Sequence, residues 1–401
     1  ASEDDGDFNT AIGYEALTSQ TGYSGEVGNT AIGYKAGHDT TTGTVSTFIG
    51  YKAGENVTSA TNNIAIGATA FSGTSTNMSD CIAIGYQAFY SSKGDVSGAA
   101  GSIAIGRQAG RGWTSASGSV AIGYQSQYSS TGNLYNTSVG YQSLYGVGHT
   151  GGSHSTSHYN TALGYRAGFD YGAGGSSEHN VFVGHMAGEY NRFGDRGTFV
   201  GSQAGRFSTV GVDQTFIGAY AGIYATGSYN VFVGANAGKG GTTSAPYSSG
   251  QNNTAVGYQA LTAFTTGTAN TVMGYDAGKE ITTGGNNVFI GYQAGESSTD
   301  TSNTISIGQG AGRDGDLGDY TTIMGVYAGL NSTGASNVLV GYKAGFAIGS
   351  TTHTVLIGAE AAAASLTTDA NGTVAIGNQA LKVLTSGIGN TAIGYQTLVA
   401  E

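Results

Sequence analysis

The chain has 401 residues, a formal net charge of −11 and only 10% charged side chains, with 72 glycines, one proline and one cysteine. Glycine is not every third residue, which excludes collagen, and a single cysteine, Cys81, excludes an intrachain disulfide framework. No Lys/Arg cluster occurs, which argues against nucleic acid and anionic membrane as partners, and no apolar run is long enough to span a bilayer.

Residues 1–8 contain SEDDGD, an acidic, solvated lead-in. A phrase then begins that never stops: NTAIGYEAL at 9–17, NTAIGYKAG at 29–37, NTALGYRAG at 160–168, NTAVGYQAL at 253–261 and NTAIGYQTL at 390–398. Aligned on its glycine it recurs 22 times, from Gly13 to Gly394, and 12 of the 21 spacings are 17 residues. Insertions lengthen some intervals, around 19–28, 90–102, 145–159, 169–179, 239–252 and 362–372. Such a period marks a repeat architecture, one supersecondary unit per copy, so 9–401 reads as one continuous repeat domain. The chain stops inside what should be the next loop, and the expectation is a piece of a longer fibre or a processed product.

Positions are numbered below from the aligned glycine. Position −3 is always Thr, Val or Ile, and −1 is always Ile, Val, Leu or Met. Position +3 is Ala in 19 copies, Asn opens 12 copies at −4, and Tyr follows the glycine in 12. The three residues before the glycine are β-formers, and the Ser/Thr/Gly/Asn connectors carry turn chemistry. Each copy therefore reads as strand, bend at Gly, short strand, loop. The expected fold is all-β, a parallel β-solenoid or β-roll of about 22 short coils, roughly 100 Å long at the inter-strand spacing. The Asn column has two readings: a ladder between coils or local turn bonding.

Side chains alternate faces along a strand, so −3 and −1 share one face and −2 takes the other. Both faces are apolar or small. Position −2 is Ala in ten copies and Phe in six. The expectation is that −3/−1 fill the coil's own core. The −2 stripe, with Phe48, Phe182, Phe199, Phe216, Phe232 and Phe289, would then be an outer surface too greasy to stay exposed. These phenylalanines are accordingly expected to pack a homotrimer, a ring with one repeated contact type.

The phrase N-[ST]-[VAI]-[AF]-[IV]-G-x-x-[AS] resembles the head repeats of trimeric autotransporter adhesins, and resembles even more the NTAIGY-type repeats of phage tail fibres. The resemblance covers residues 9–398 and implies a trimeric, left-handed parallel β-roll. It also implies a structural and adhesive role as a virion or extracellular appendage, whose loops or tip meet a cell-surface glycan or receptor. The period departs from the shorter adhesin repeat, and nothing resembles an autotransporter stalk, neck or membrane anchor. A phage tail fibre is the first reading and a bacterial surface adhesin or extracellular filament the second.

Chemistry is sparse. Carboxylates such as Asp80, Asp170 and Asp276 are scattered, without the recurrent pairs a polysaccharide depolymerase needs, so no catalytic residue and no cofactor is expected. His149, His154 and His158 share the longest interval and are weak candidates for a metal on a trimer axis; a solvated loop is the simpler reading. Trp113 is a candidate glycan contact if exposed, against a reading in which it packs over a coil corner. Ice binding would need Thr columns facing solvent, and the Thr at −3 read instead as a buried face.

Overall fold

The computed structural model describes residues 6–21, 25–59, 61–73, 78–91, 100–128, 134–146, 157–170, 177–367 and 370–399. The chain divides into two compact units, 1–203 and 204–401. Each is a parallel β-solenoid, and no α-helix occurs among the described residues.

In the first unit, eleven three-residue strands run from Thr10–Ile12 to Thr198–Val200. In the second, eleven more run from Thr215–Ile217 to Thr391–Ile393. Within each unit every one of these three-residue strands pairs with the next, in parallel and without slippage; a separate pair joins Gly6–Asp7 to Gly25–Glu26. Thr30, Ala31 and Ile32 face Thr47, Phe48 and Ile49, and Val338, Leu339 and Val340 face Val355, Leu356 and Ile357. Backbone bonds run both ways from each coil: Thr30 N–H donates to Ser46 O at 2.8 Å, and Gly33 N–H donates to Ile12 O at 2.7 Å. An insertion between strands leaves this register untouched, because the ladder is set at −3 to −1.

The segment after the glycine is not the second strand expected of it. Its +2 residue takes a left-handed conformation, as at Lys35 (φ 54°) and Gln293 (φ 56°), so the backbone turns instead of extending. Its amides still bond between coils, with Lys35 N–H donating to Tyr14 O at 2.9 Å. The aligned glycine is needed for both conformation and space. Gly33 has φ +136°, and a Cβ there would stand 2.4 Å from Gly50 O of the next coil.

The core shows which face is inward, and it is the opposite of the sequence expectation. Position −2 points into the coil and −3/−1 point out. Phe48, Phe182, Phe199, Phe216, Phe232 and Phe289 are all fully buried within the single chain. They are interior residues and cannot supply the surface on which another copy packs. The Ala column at +3 lines the same interior, from Ala36 to Ala380. Of positions −2 and +4, which share this interior, no coil makes both bulky.

That limit explains the alternation at +4. Where −2 is Phe, +4 is glycine: a Cβ on Gly54 would lie 2.3 Å from Phe48 Cδ1. Where +4 is large, −2 is small, as in Ala65 with Phe71, Ala83 with Phe89 and Ala255 with Leu261, all buried. Where both are small, another side chain enters. Trp113 fills the coil of Ala104 and Gly110, 2.8 Å from where a Gly110 Cβ would be. Bulk is thus exchanged between −2 and +4, as close packing demands, and in some coils a residue at +7 adds to it, as Val57 does beside Phe48 and Phe264 beside Leu261. One stretch departs from the apolar rule. Gln127, Ser126, Ser138 and Ser143 are buried together, with Gln127 Nε2 donating to Ser138 Oγ at 3.0 Å and to Val120 O at 2.9 Å.

The Asn column combines parts of both readings. Its side chains bridge coils, but their partners are chiefly backbone groups. Asn270 N–H donates to Asn253 Oδ1 at 3.0 Å, and Asn287 N–H to Asn270 Oδ1 at 3.1 Å. Asn270 Nδ2 donates to Gly284 O at 2.9 Å. A local bond recurs as well, from Asn230 Nδ2 to Gly227 O at 2.8 Å. These side chains are buried and satisfy backbone groups where the loop re-enters the strand. Cys81 takes the Asn place in its coil; its own N–H donates to Asn63 Oδ1 at 3.0 Å, and burial pushes its thiol up to about 11.

Candidate interaction surface

The −3 and −1 side chains form a stripe two residues wide on the outside of each unit. None is buried. Exposure is 39% at Leu163 in the first unit and 45% at Met273 in the second, and rises to 58% at Ile12 and 65% at Ile393 in the first and last coils. A run of Ile, Val, Leu, Met and Thr on consecutive coils exceeds the scattered apolar residues of an ordinary surface. The Thr at −3 belongs to this outer face, not to a buried one.

Beside the stripe, at +1, lies a column of stacked tyrosines. Ring centroids are 5.4 Å apart for Tyr14–Tyr34, 5.3 Å for Tyr34–Tyr51 and 5.2 Å for Tyr275–Tyr292, with planes within 10° of parallel. The separation follows from the coil rise: identical positions on parallel strands sit one strand spacing apart. A further column at +5 stacks Tyr128, Tyr145 and Phe169, at 5.1 and 5.0 Å. Between them, at +2, glutamine amides form a chain: Gln108 Nε2 donates to Gln87 Oε1 at 3.0 Å, and Gln125 and Gln142 continue it at 2.9 Å each.

Elsewhere on this side, +2 and +5 hold paired charges. Lys35 Nζ lies 3.2 Å from Glu15, Lys52 Nζ 3.0 Å from Glu55 and Lys382 Nζ 2.6 Å from Glu360. Hydrogen bonding by Tyr14 and then Lys35 holds the Glu15 carboxyl below its ordinary value, and Lys382 and then Gln379 do the same for Glu360.

The residues singled out from the sequence are not brought together. Trp113 is fully buried, its ring edge-on to Phe89 at 5.0 Å. It is a core residue and no glycan contact, because its coil has no other large side chain. His149 and His154 lie outside the described residues. His158 Nδ1 accepts from Leu134 N–H at 2.9 Å. Among the described residues, no group of three or more His, Cys, Asp or Glu is placed to hold a metal.

Sequence reasoning missed the outer stripe because alternation alone does not say which face is inward. The reciprocal sizes at −2 and +4 were the available signal. Two positions that trade bulk must share one cavity. No family model matches the chain, and no curated protein matches it.

Proposed function

We propose that the chain is the repeat shaft of a homo-oligomeric fibre, most simply a homotrimer, that spaces or presents surface-contacting loops. A phage tail fibre is the first assignment and a bacterial surface adhesin the alternative; either places it outside a cell or on a virion. The observation that supports this reading is the outer −3/−1 stripe, apolar and half-exposed along consecutive coils of each unit. A second copy of the same stripe is its simplest cover, since a ring repeats one contact type. The repeat resemblance supports the number three. Function on this reading is mechanical: backbone ladders within each chain and an apolar seam between chains make a stiff spacer.

The mass of the full chain in solution, by light scattering, tests it. The expected value is three times the 40.2 kDa chain mass. Ile217→Asp, on the stripe, should lower it to that of one chain while leaving β-structure by circular dichroism unchanged. A parent chain that stays at 40.2 kDa over a wide concentration range would remove the reading. The outward Thr column supports a second one, ice binding, in which the stripe stays open to water. Thermal hysteresis by a monomeric parent chain would favour it.

A further inference from the structure

The side of the coil formed by +1, +2 and +5 is one surface. Lys343 Nζ, from +2, lies 5.3 Å from the ring centroids of both Tyr342 at +1 and Phe346 at +5. In an acidic chain this surface has one region of different character. From Val96 to Phe169 the sequence contains no Asp or Glu, although the net charge is −11. Two arginines of a single coil sit there, Arg107 at +1 and Arg111 at +5, with Gln108 between them at +2.

Each arginine is held between two rings. Arg107 Cζ lies 5.6 Å from the Tyr86 centroid and 5.9 Å from that of Tyr124. Arg111 Cζ lies 5.7 Å from Tyr90 and 5.1 Å from Tyr128, and its Nη1 donates to the Tyr128 hydroxyl. Arg111 Nε is buried without a hydrogen-bond partner. Arg166, the third arginine of the region, is compensated by Glu189 at 2.9 Å. No carboxylate pairs with Arg107 or Arg111 among the described residues; Asp95, at the upstream edge, lies outside them. Both guanidiniums are thus oriented in advance by the rings; Arg107 is exposed and Arg111 half-buried, so Arg107 keeps the greater donor capacity for a carboxylate and Arg111 adds positive charge beside it.

The ring columns add to the same preference. Tyr124–Tyr141 and Tyr128–Tyr145 stack at 5.0 and 5.1 Å, so their faces cover one another. Stacked rings offer a ligand their electropositive edges, and Tyr86, Tyr141 and Tyr165 in the +1 column are exposed, beside the Gln amides. Hydroxyls and amides repeating about every 5 Å, at the strand spacing, suit an extended chain of hydrogen-bonding units. Single-stranded nucleic acid would need open ring faces for its bases and a larger excess of positive charge.

We propose that this face, spanning the coils of Gly85 to Gly164, binds an acidic polysaccharide. Its carboxylates would pair with Arg107 and Arg111, and its hydroxyls would bond to the Gln and Tyr columns. The proposal goes beyond the shaft reading and uses different columns from the packing stripe, so the two fail separately.

Binding of the full chain to polygalacturonate, by isothermal titration calorimetry, tests it, with dextran and a thymidine oligonucleotide as comparison probes. Polygalacturonate should bind and dextran and the oligonucleotide should not, and affinity should fall as salt is raised. R107Q/R111Q should weaken it at least about tenfold, since hydrogen bonds to charged groups are the strong ones, with mass by light scattering unchanged. Arg107 is exposed, so Arg107→Gln alone keeps the fold and should weaken binding severalfold if the double variant does not fold. Lys343→Gln, on another coil, should bind as the parent does. The proposal is overturned if polygalacturonate does not bind, if R107Q/R111Q (or, should it not fold, Arg107→Gln) binds unchanged, or if dextran or the oligonucleotide binds equally.

Discussion

Position −2 and the pair −3/−1 are neighbours on the same three-residue strand, yet they follow different rules. The −2 column varies from Ala and Ser to Phe. Phe at −2 is answered by glycine at +4, while small pairs are filled by another side chain, such as Trp113 within its coil or Leu17 and Phe48 from the coils beside Gly37. The −3/−1 columns hold a narrow range of β-branched and aliphatic residues with no answering change elsewhere in the coil. The interior is constrained by volume, whereas the outer face is constrained by shape and polarity, as a surface that meets a repeated partner would be. Uniformity of apolar character is therefore a poor guide to burial within a single chain. Compensating variation is the better one.

The largest test of this contrast is Phe216→Asp. If −2 is interior, the variant loses the fold of the single chain. The missing ring alone costs about 3–5 kcal/mol, and an unpaired buried carboxylate adds to it. Circular dichroism at high dilution checks this. Native structure there would return −2 to the outside. Ile217→Asp, one residue away, is the matched control, because its effect should fall on assembly alone.

A sharper test uses the exchange of bulk. Phe289→Ala should lower stability by about 3–5 kcal/mol through the cavity it leaves. Adding Gly295→Leu should recover part of that loss. The left-handed conformation at Gly295 (φ +59°) is one that Leu261 already adopts (φ 54°). Denaturant melts of both variants decide it; no recovery would mean that −2 and +4 do not share a cavity.

Asn270→Ala is expected to have the smallest effect. It removes the acceptor for Asn287 N–H and the donor to Gly284 O, leaving buried backbone groups unmet at about 1–3 kcal/mol. A melt no different from the parent would show that these groups find other partners.

Much of this molecule was legible in its residues. The coil length, the strand at −3 to −1, the tight bend at the glycine and the in-register stacking all follow from periodicity and local preference, since a residue's backbone tendencies travel with it. The +2 conformation was less visible, because Lys, Gln and Asp occupy it without a glycine to mark it. The direction of the faces, the burial of Trp113 and the meeting of Arg107 with rings from coils before and after it were decided only in three dimensions. Each depends on which side of a strand the chain curls toward and on what lies one coil away, and neither is a property of any residue taken alone.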